Sequence, residues 1–313
     1  LYGLEASGPV ALFLERHRIF QMAPWPGLSG ERPTLLFEAE LAPHLVVYES
    51  LGRALHAADG GWHRAQSFSV TMVARLRMID PEASSPVRMP SYMPRVQWQG
   101  FWVRTPRLVS TWEARDRPRT FAMLGVSVAL AHHSNGQDGC TWDAHLRAID
   151  PACRVPTQGF AMALNRTSGD FSTNYLWFAL RAVYGRLHAT GTTAEHVVSG
   201  SVEGEVHPQG MGPGGLEAAL APLYGQGRLR LVGDYLWERP TGRLRAQAGV
   251  TVALGATAEV TPYRLWMEAA WTFNRLGGFG FFVRLHLGHD DYNAYFVDRL
   301  DTLQFGVVWD RSL

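Results

Sequence analysis

Alternation of apolar and polar residues with a period of two dominates this chain. Across residues 66–78 the even positions include Phe68, Val70, Met72, Ala74, Leu76 and Met78. The odd positions are Ser67, Ser69, Thr71, Val73, Arg75 and Arg77. Successive side chains on a strand point to opposite faces, so this run predicts a strand with one apolar and one mostly polar face. Residues 244–254 repeat the pattern, with Leu244, Ala246, Ala248, Val250, Val252 and Leu254 set against Arg245, Gln247, Gly249, Thr251 and Ala253. In residues 279–287, Phe279, Phe281, Val283, Leu285 and Leu287 oppose Gly280, Phe282, Arg284 and His286. The last such run sets Leu303, Phe305, Val307 and Trp309 against Thr302, Gln304, Gly306 and Val308.

Read this way, the chain predicts twelve strands, near residues 9–15, 33–42, 65–78, 91–104, 119–134, 171–187, 193–207, 227–237, 243–255, 260–273, 277–288 and 300–310. A soluble sandwich gives similar alternation. Two features favour a membrane barrel. Many runs exceed the roughly 5–6 residues of an ordinary strand, and the polar face is rich in arginine, glycine and small polar residues, which suits an enclosed lumen. The expectation is an all-β, 12-stranded antiparallel transmembrane β-barrel, whose even strand count closes without an edge. The whole of residues 1–313 reads as one outer-membrane domain, with a long loop at 135–170 and a short loop helix within 215–224.

Composition narrows the picture. No stretch approaches the roughly 20 apolar residues of a membrane-spanning helix, which leaves a barrel open. Net charge is +1, which does not point to nucleic acid, and all 29 basic residues are arginine. Glycine (32), Phe (15), Trp (11) and Tyr (10) are abundant, as in all-β chains. The chain begins at Leu1 without a basic segment and apolar run, which predicts a processed or trimmed protein whose export signal, if any, is gone. In an exported protein Cys140 and Cys153, 13 apart in the long loop, form an expected disulfide. With both termini in the periplasm, odd-numbered strands run outward, and the strand at 119–134 ends at the outer surface.

That end carries the candidate chemistry, in "ALAHHSNGQ" at 129–137. Strand parity puts His132 and Ser134 on the apolar, lipid-facing stripe with Leu124, Val126, Val128 and Leu130, and turns His133 into the lumen. Polar side chains on a lipid-facing stripe are costly unless they are near the interface and hydrogen-bonded. Residues two apart on one face have Cβ atoms about 6–7 Å apart. An imidazole at that distance from a hydroxyl is the minimum for a general base and its nucleophile. The next strand carries Asn174 on its apolar face with Leu176, Phe178 and Leu180, at the end adjacent in a hairpin, so Asn174 is the candidate third group. Asn165, in the loop, is its rival. The bland alternative is that His132, Ser134 and Asn174 are interfacial anchors only. A His132–His133 metal pair is disfavoured because neighbours on a strand diverge. Asp138 and Asp170 flank the loop as candidate cation ligands or as plain solvent-facing acids.

These residues carry a family resemblance. "HHSNGQDG" at 132–139 resembles the His-x-Ser-Asn-Gly motif of the bacterial outer-membrane phospholipase A family. "LLFEAELA" at 35–42 and "SYMPRVQW" at 91–98 are similar to that family's early strand and its Asn-Tyr-x-Pro-type strand start. The ending "LGHDDYNAYFVDRLDTLQFGVVW" resembles its closing hairpin. The resemblance implies a twelve-stranded barrel in the outer membrane with phospholipase A1/A2 and lysophospholipase activity and a calcium-promoted homodimer. It matches Ser134 to the nucleophile, His132 to the base, Asn174 to the third member, and the Gly136 N–H to part of the oxyanion hole. The backbone carbonyl of Gln137 is matched to a calcium ligand. Two features depart from the pattern. Gln137 stands where arginine is common, and 40 residues separate Ser134 from Asn174. The substrate so implied is membrane phospholipid. The rivals are a lipid A deacylase, which pairs His-x-Ser with a glutamate on a shorter chain, and a non-catalytic barrel serving as a channel or envelope-complex subunit.

Overall fold

The computed structural model describes residues 17–22, 34–55, 60–80, 89–105, 119–142, 146–187, 194–209, 213–258 and 260–309. Within them the strands are β1 (His17–Met22), β2 (Thr34–Leu41), β3 (His44–Glu49), β4 (Trp62–Asp80), β5 (Ser91–Arg104), β6 (Arg119–Ser134), β7 (Ser172–Leu187), β8 (Ala194–Val206), β9 (Gly227–Arg239), β10 (Gly242–Leu254), β11 (Tyr263–Phe273), β12 (Phe279–Gly288) and β13 (Thr302–Trp309). Three short helices accompany them: α1 (Leu51–Leu55), α2 (Phe160–Ala163) and α3 (Ala221–Tyr224). The expected loop helix within 215–224 is α3.

Strands β4 to β13 pair antiparallel with their sequence neighbours. β13 pairs with β1, β1 with β2, and β2 with β4. Followed round, the pairings return to their starting strand. β2 and β3 occupy successive registers on β4, with Leu41 opposite Ala74 and His44 opposite Thr71. They form one stave broken at Pro43, which has no N–H to donate but whose carbonyl still accepts from the Met72 N–H at 3.1 Å. Counting that stave once gives the twelve of the expected barrel. The expected strand at 9–15 lies outside the described residues, and the short β1 was not foreseen.

Burial confirms strand parity. On β6 the odd positions from Phe121 to His133 are all buried, while Leu124, Val128 and Leu130 are exposed. On β7 Leu180 is 60% exposed, whereas inward-facing Arg77 on β4 is only 3% exposed. This inside-out distribution, an apolar belt outside and a charged interior, fits a wall bathed in lipid and would expose a large apolar patch to water. Exposed aromatics mark the belt's two rims, with Tyr92 and Tyr263 at the end carrying Ser134 and Trp62, Trp102 and Tyr184 at the other.

The lumen has three layers. At the end opposite Ser134, α1 packs Leu51 and Ala54 against Phe101, Val103, Phe121, Met123 and Val183. The Glu49 carboxylate accepts from the Leu51 and Gly52 N–H groups at 2.7 and 3.2 Å, filling acceptor positions at the start of α1. The middle layer is ionic. Arg245 and Gln247 converge on Asp234, Arg284 on Glu268, and Arg230 on Glu203 and Glu205. Arg230, Arg245, Gln247, Arg284, Glu203 and Glu205 border a cavity of about 330 Å³. At the serine end, loops 135–171, 207–226, 255–262 and 289–301 contribute to a second apolar cluster, in which Trp142, Phe171, Leu216, Leu220, Tyr224, Val260 and Phe296 are buried.

A charge on the lipid belt tests this arrangement. Leu180→Arg, at mid-height on β7, should destabilise the barrel by about 2–4 kcal/mol in urea unfolding from lipid vesicles. A change well under 1 kcal/mol would show that Leu180 does not face hydrocarbon.

Candidate active site

β6 and β7 pair along their whole length, with His132 opposite Asn174 and Ser134 opposite Ser172. Ser134 also lies opposite Tyr92 on β5. His132, Ser134 and Asn174 are half-buried at the rim of the outward face. His132 Nδ1 lies 2.7 Å from Asn174 Oδ1, a hydrogen bond between neighbouring strands. Asn174 Nδ2 donates to the Pro213 carbonyl at 3.0 Å, and Ser172 Oγ donates to the Gly214 carbonyl at 2.6 Å. On this rim His132 and Asn174 are therefore bonded to each other, and Asn174 and Ser172 to loop backbone.

His133 points the other way and is buried. Its Nε2 hydrogen-bonds Ser91 Oγ, its Nδ1 lies 3.4 Å from the Tyr224 hydroxyl, and its ring meets Phe171 edge-on at 5.0 Å. It fastens the loop cluster to the barrel and does not share a face with His132, so the adjacent histidines do not converge as a metal pair.

Asn165 is committed elsewhere. It is buried, its Nδ2 donates to the Cys140 carbonyl at 3.0 Å, and its Oδ1 accepts from the Thr167 and Ser168 N–H groups. These bonds make it a turn staple inside the long loop. Cys140 and Cys153 are joined in a disulfide, with Cα atoms 5.6 Å apart.

Asn135 is a residue that sequence reading passed over. It is fully buried. Its Nδ2 donates to the Gly169 carbonyl at 2.7 Å, and its Oδ1 accepts from the N–H groups of Phe171 and Gln137. It thus ties the two ends of loop 135–171 and sets the turn behind Ser134. The signal was present as an Asn-Gly dipeptide. Gly136 adopts φ +66°, a left-handed conformation that favours glycine, and its N–H follows the Ser134–Asn135 backbone. Gln137 is half-buried, and its N–H is used by Asn135.

Beside this turn, desolvation and then the nearby Asp138 push the Asp170 carboxyl above its ordinary value. Calcium takes six to eight oxygen ligands. Among the described residues no three His, Cys, Asp or Glu side chains converge on a metal position. Backbone and amide oxygens, such as the Gln137 carbonyl, would have to supply most of the ligands of a bound calcium ion.

The fold and this surface define the class: a transmembrane β-barrel with serine, histidine and asparagine grouped on its lipid-facing rim. The chain is similar to outer membrane phospholipase A from Escherichia coli, with 11% identity over 99% of each chain and a TM-score of 0.49. It is also similar to an outer membrane phospholipase of Salmonella typhi, a dimer with bound calcium, at 10% identity over 96% of this chain and 92% of that one and a TM-score of 0.48. A porin of Rhodopseudomonas blastica aligns over 93% of this chain and 96% of its own, at 10% identity and a TM-score of 0.26. No protein-family model and no curated protein matches the chain.

The shifted Asp170 gives a pH prediction. A carboxyl whose folded pKa lies above its unfolded value binds its proton more tightly in the folded loop. Its stabilisation is complete below the ordinary value of 3.8 and is lost as pH rises through the raised one. At pH 7 the ionised group is a net cost. Asp170→Asn should therefore slow proteolysis and hydrogen exchange of residues 135–170 at neutral pH, with the advantage vanishing in acid. Equal protection at neutral pH would refute the assignment.

Proposed function

We propose that this protein is an outer-membrane phospholipase that hydrolyses acyl ester bonds of glycerophospholipids, with phospholipase A1/A2 and lysophospholipase activity. The observation that carries the reading is the 2.7 Å bond from His132 Nδ1 to Asn174 Oδ1, beside Ser134 on a surface that is otherwise apolar. The "HHSNGQDG" motif supports it. The outward position of the group favours a substrate that is itself part of the membrane, with the site toward the outer leaflet.

An amide oxygen only accepts, so His132 carries its proton on Nδ1 and keeps an Nε2 lone pair for Ser134. As Ser134 Oγ attacks the ester carbonyl, His132 Nε2 takes the hydroxyl proton. In this reading the Gly136 N–H, in the turn after Ser134, donates to the oxyanion. Collapse of the tetrahedral intermediate breaks the bond to the alkoxy oxygen, and His132 returns the proton to the departing alcohol. Water then attacks the acyl-serine while giving its proton to His132. Release of the fatty acid and return of that proton to Ser134 restore the enzyme. A neutral asparagine orients the imidazolium without placing a second charge at the lipid boundary.

The site lies on an outer wall, where one copy offers a surface and no enclosing cleft. A second copy seated on that wall would complete a groove for acyl chains, which supports a homodimer. In this reading calcium promotes that homodimer.

Ser134→Ala should reduce hydrolysis of a phospholipid in mixed micelles by about a thousandfold or more while the barrel folds normally. Asn174→Ala should leave more activity than that. Calcium should raise the rate and the cross-linked dimer fraction together in wild type. Undiminished hydrolysis by Ser134→Ala would sink the assignment, and activity on lipid A alone would redirect it to a deacylase.

A further inference from the structure

We infer that the backbone of Pro213 and Gly214, in the loop between β8 and β9, is the positioning element of this site. It sets the amide orientation of Asn174, and through it the tautomer of His132. The inference rests on reading His132 and Ser134 as base and nucleophile.

The Pro213 oxygen can only accept a hydrogen bond. It stands 3.0 Å from Asn174 Nδ2, so Asn174 must present its NH₂ group to the loop. Its Oδ1 is then the atom facing His132 Nδ1 at 2.7 Å. Two acceptors cannot bond each other, so Nδ1 must bear the proton. A flipped amide would set Oδ1 against the Pro213 oxygen and offer a donor to His132. The imidazole would then hold its proton on Nε2, where it blocks removal of the Ser134 proton. The loop carbonyl therefore selects the tautomer in which His132 can act as a base.

The same contact explains why the third member is an amide. An ionised aspartate at 174 would aim an oxygen at the Pro213 carbonyl with no hydrogen between them.

Gly214 makes the approach sterically feasible. Its φ is +76°, and a Cβ there would stand 2.8 Å from Ser172 Oγ and 3.0 Å from His132 Cε1. Only a residue without a side chain lets the loop lie across the imidazole edge. The loop is held at two points, because Ser172 Oγ donates to the Gly214 carbonyl at 2.6 Å, and Ser172 is the cross-strand partner of Ser134. Just beyond, Leu216 and Leu220 are buried with Trp142, Phe171 and Phe296. The order of the outer loops is thereby transmitted to Asn174.

The test uses the full-length barrel in micelles, labelled with ¹⁵N-histidine, together with steady-state hydrolysis of a micellar phospholipid. In wild type and in Ser134→Ala, His132 should show a hydrogen-bonded Nδ1–H proton far downfield. In Gly214→Ala and in Asn174→Asp that resonance should shift or broaden, with the heat-modifiable gel migration of the folded barrel unchanged. Both variants should lose about tenfold or more in kcat with KM altered less than about twofold. Should Gly214→Ala fail to fold, Asn174→Asp carries the same test. An unmoved Nδ1–H resonance with kcat near wild type in the folded variants overturns the inference. If Ser134→Ala abolishes hydrolysis while that resonance ignores Gly214 and the Asn174 amide, the clamp fails and the phospholipase reading stands. If wild type hydrolyses no ester but the resonance depends on both positions, the clamp stands and the phospholipase reading fails.

Discussion

The hydrocarbon core of a membrane offers no hydrogen bonds, and the rest of this structure follows from that. A backbone group left unpaired in lipid costs several kcal/mol. The pairings therefore run from β4 to β13 and back through β1 and β2. The same penalty turns the usual distribution of residues inside out. Leucine and phenylalanine stand outside, while arginines and carboxylates pair within, as Arg245 does with Asp234 and Arg284 with Glu268. It also governs the rim. Ser134, His132 and Asn174 sit on a stripe where polar side chains are expensive, and for His132 and Asn174 that cost is offset by bonds to each other and to the Pro213 carbonyl.

The interior supports this rim at a distance. Loop 289–301 reaches back to the lumen, where Asp290 accepts from Arg77 at 2.6 Å and Asp291 from Arg75 at 3.0 Å. The Tyr292 hydroxyl and Asn293 Nδ2 donate to the Met89 carbonyl at 2.8 and 2.9 Å. Phe296, in the same loop, packs on Phe171 with ring centroids 5.5 Å apart. Phe171 immediately precedes Ser172. Buried ion pairs contribute little net stability because desolvation opposes them, and their directionality is what matters here. They give one docking geometry to a loop whose aromatic face then holds the start of β7 in register with β6.

Much of this was legible in the sequence because strand parity is a strong code. A period of two separated His132 from His133, and the structure places them on opposite faces. The lipid-facing stripe on β7 likewise picked out Asn174. Register was less legible. That His132 lies opposite Asn174 depends on how residues 135–171 fold back, and no count of residues across that loop fixes it. Asn135 does so through bonds to Gly169, Phe171 and Gln137. Its role is invisible in a motif that highlights Ser134 and Gly136. The sequence leaves Asn165 as a rival for the same reason; in the fold its amide bonds Cys140, Thr167 and Ser168. The sequence reading predicts no strand at 44–49, where β3 continues the stave of β2 past Pro43, whose carbonyl keeps its place in the ladder.

The choice of an amide at Asn174 joins the membrane constraint to the chemistry. A carboxylate would stabilise an imidazolium more strongly, yet it would carry a charge at the edge of hydrocarbon and need a donor on its second oxygen. What faces Asn174 from the loop is the Pro213 carbonyl, an acceptor. An amide resolves both demands at once, because it is neutral and offers a donor on one side and an acceptor on the other. In the proposed triad the identity of the third group follows from what lies behind it as much as from the histidine before it.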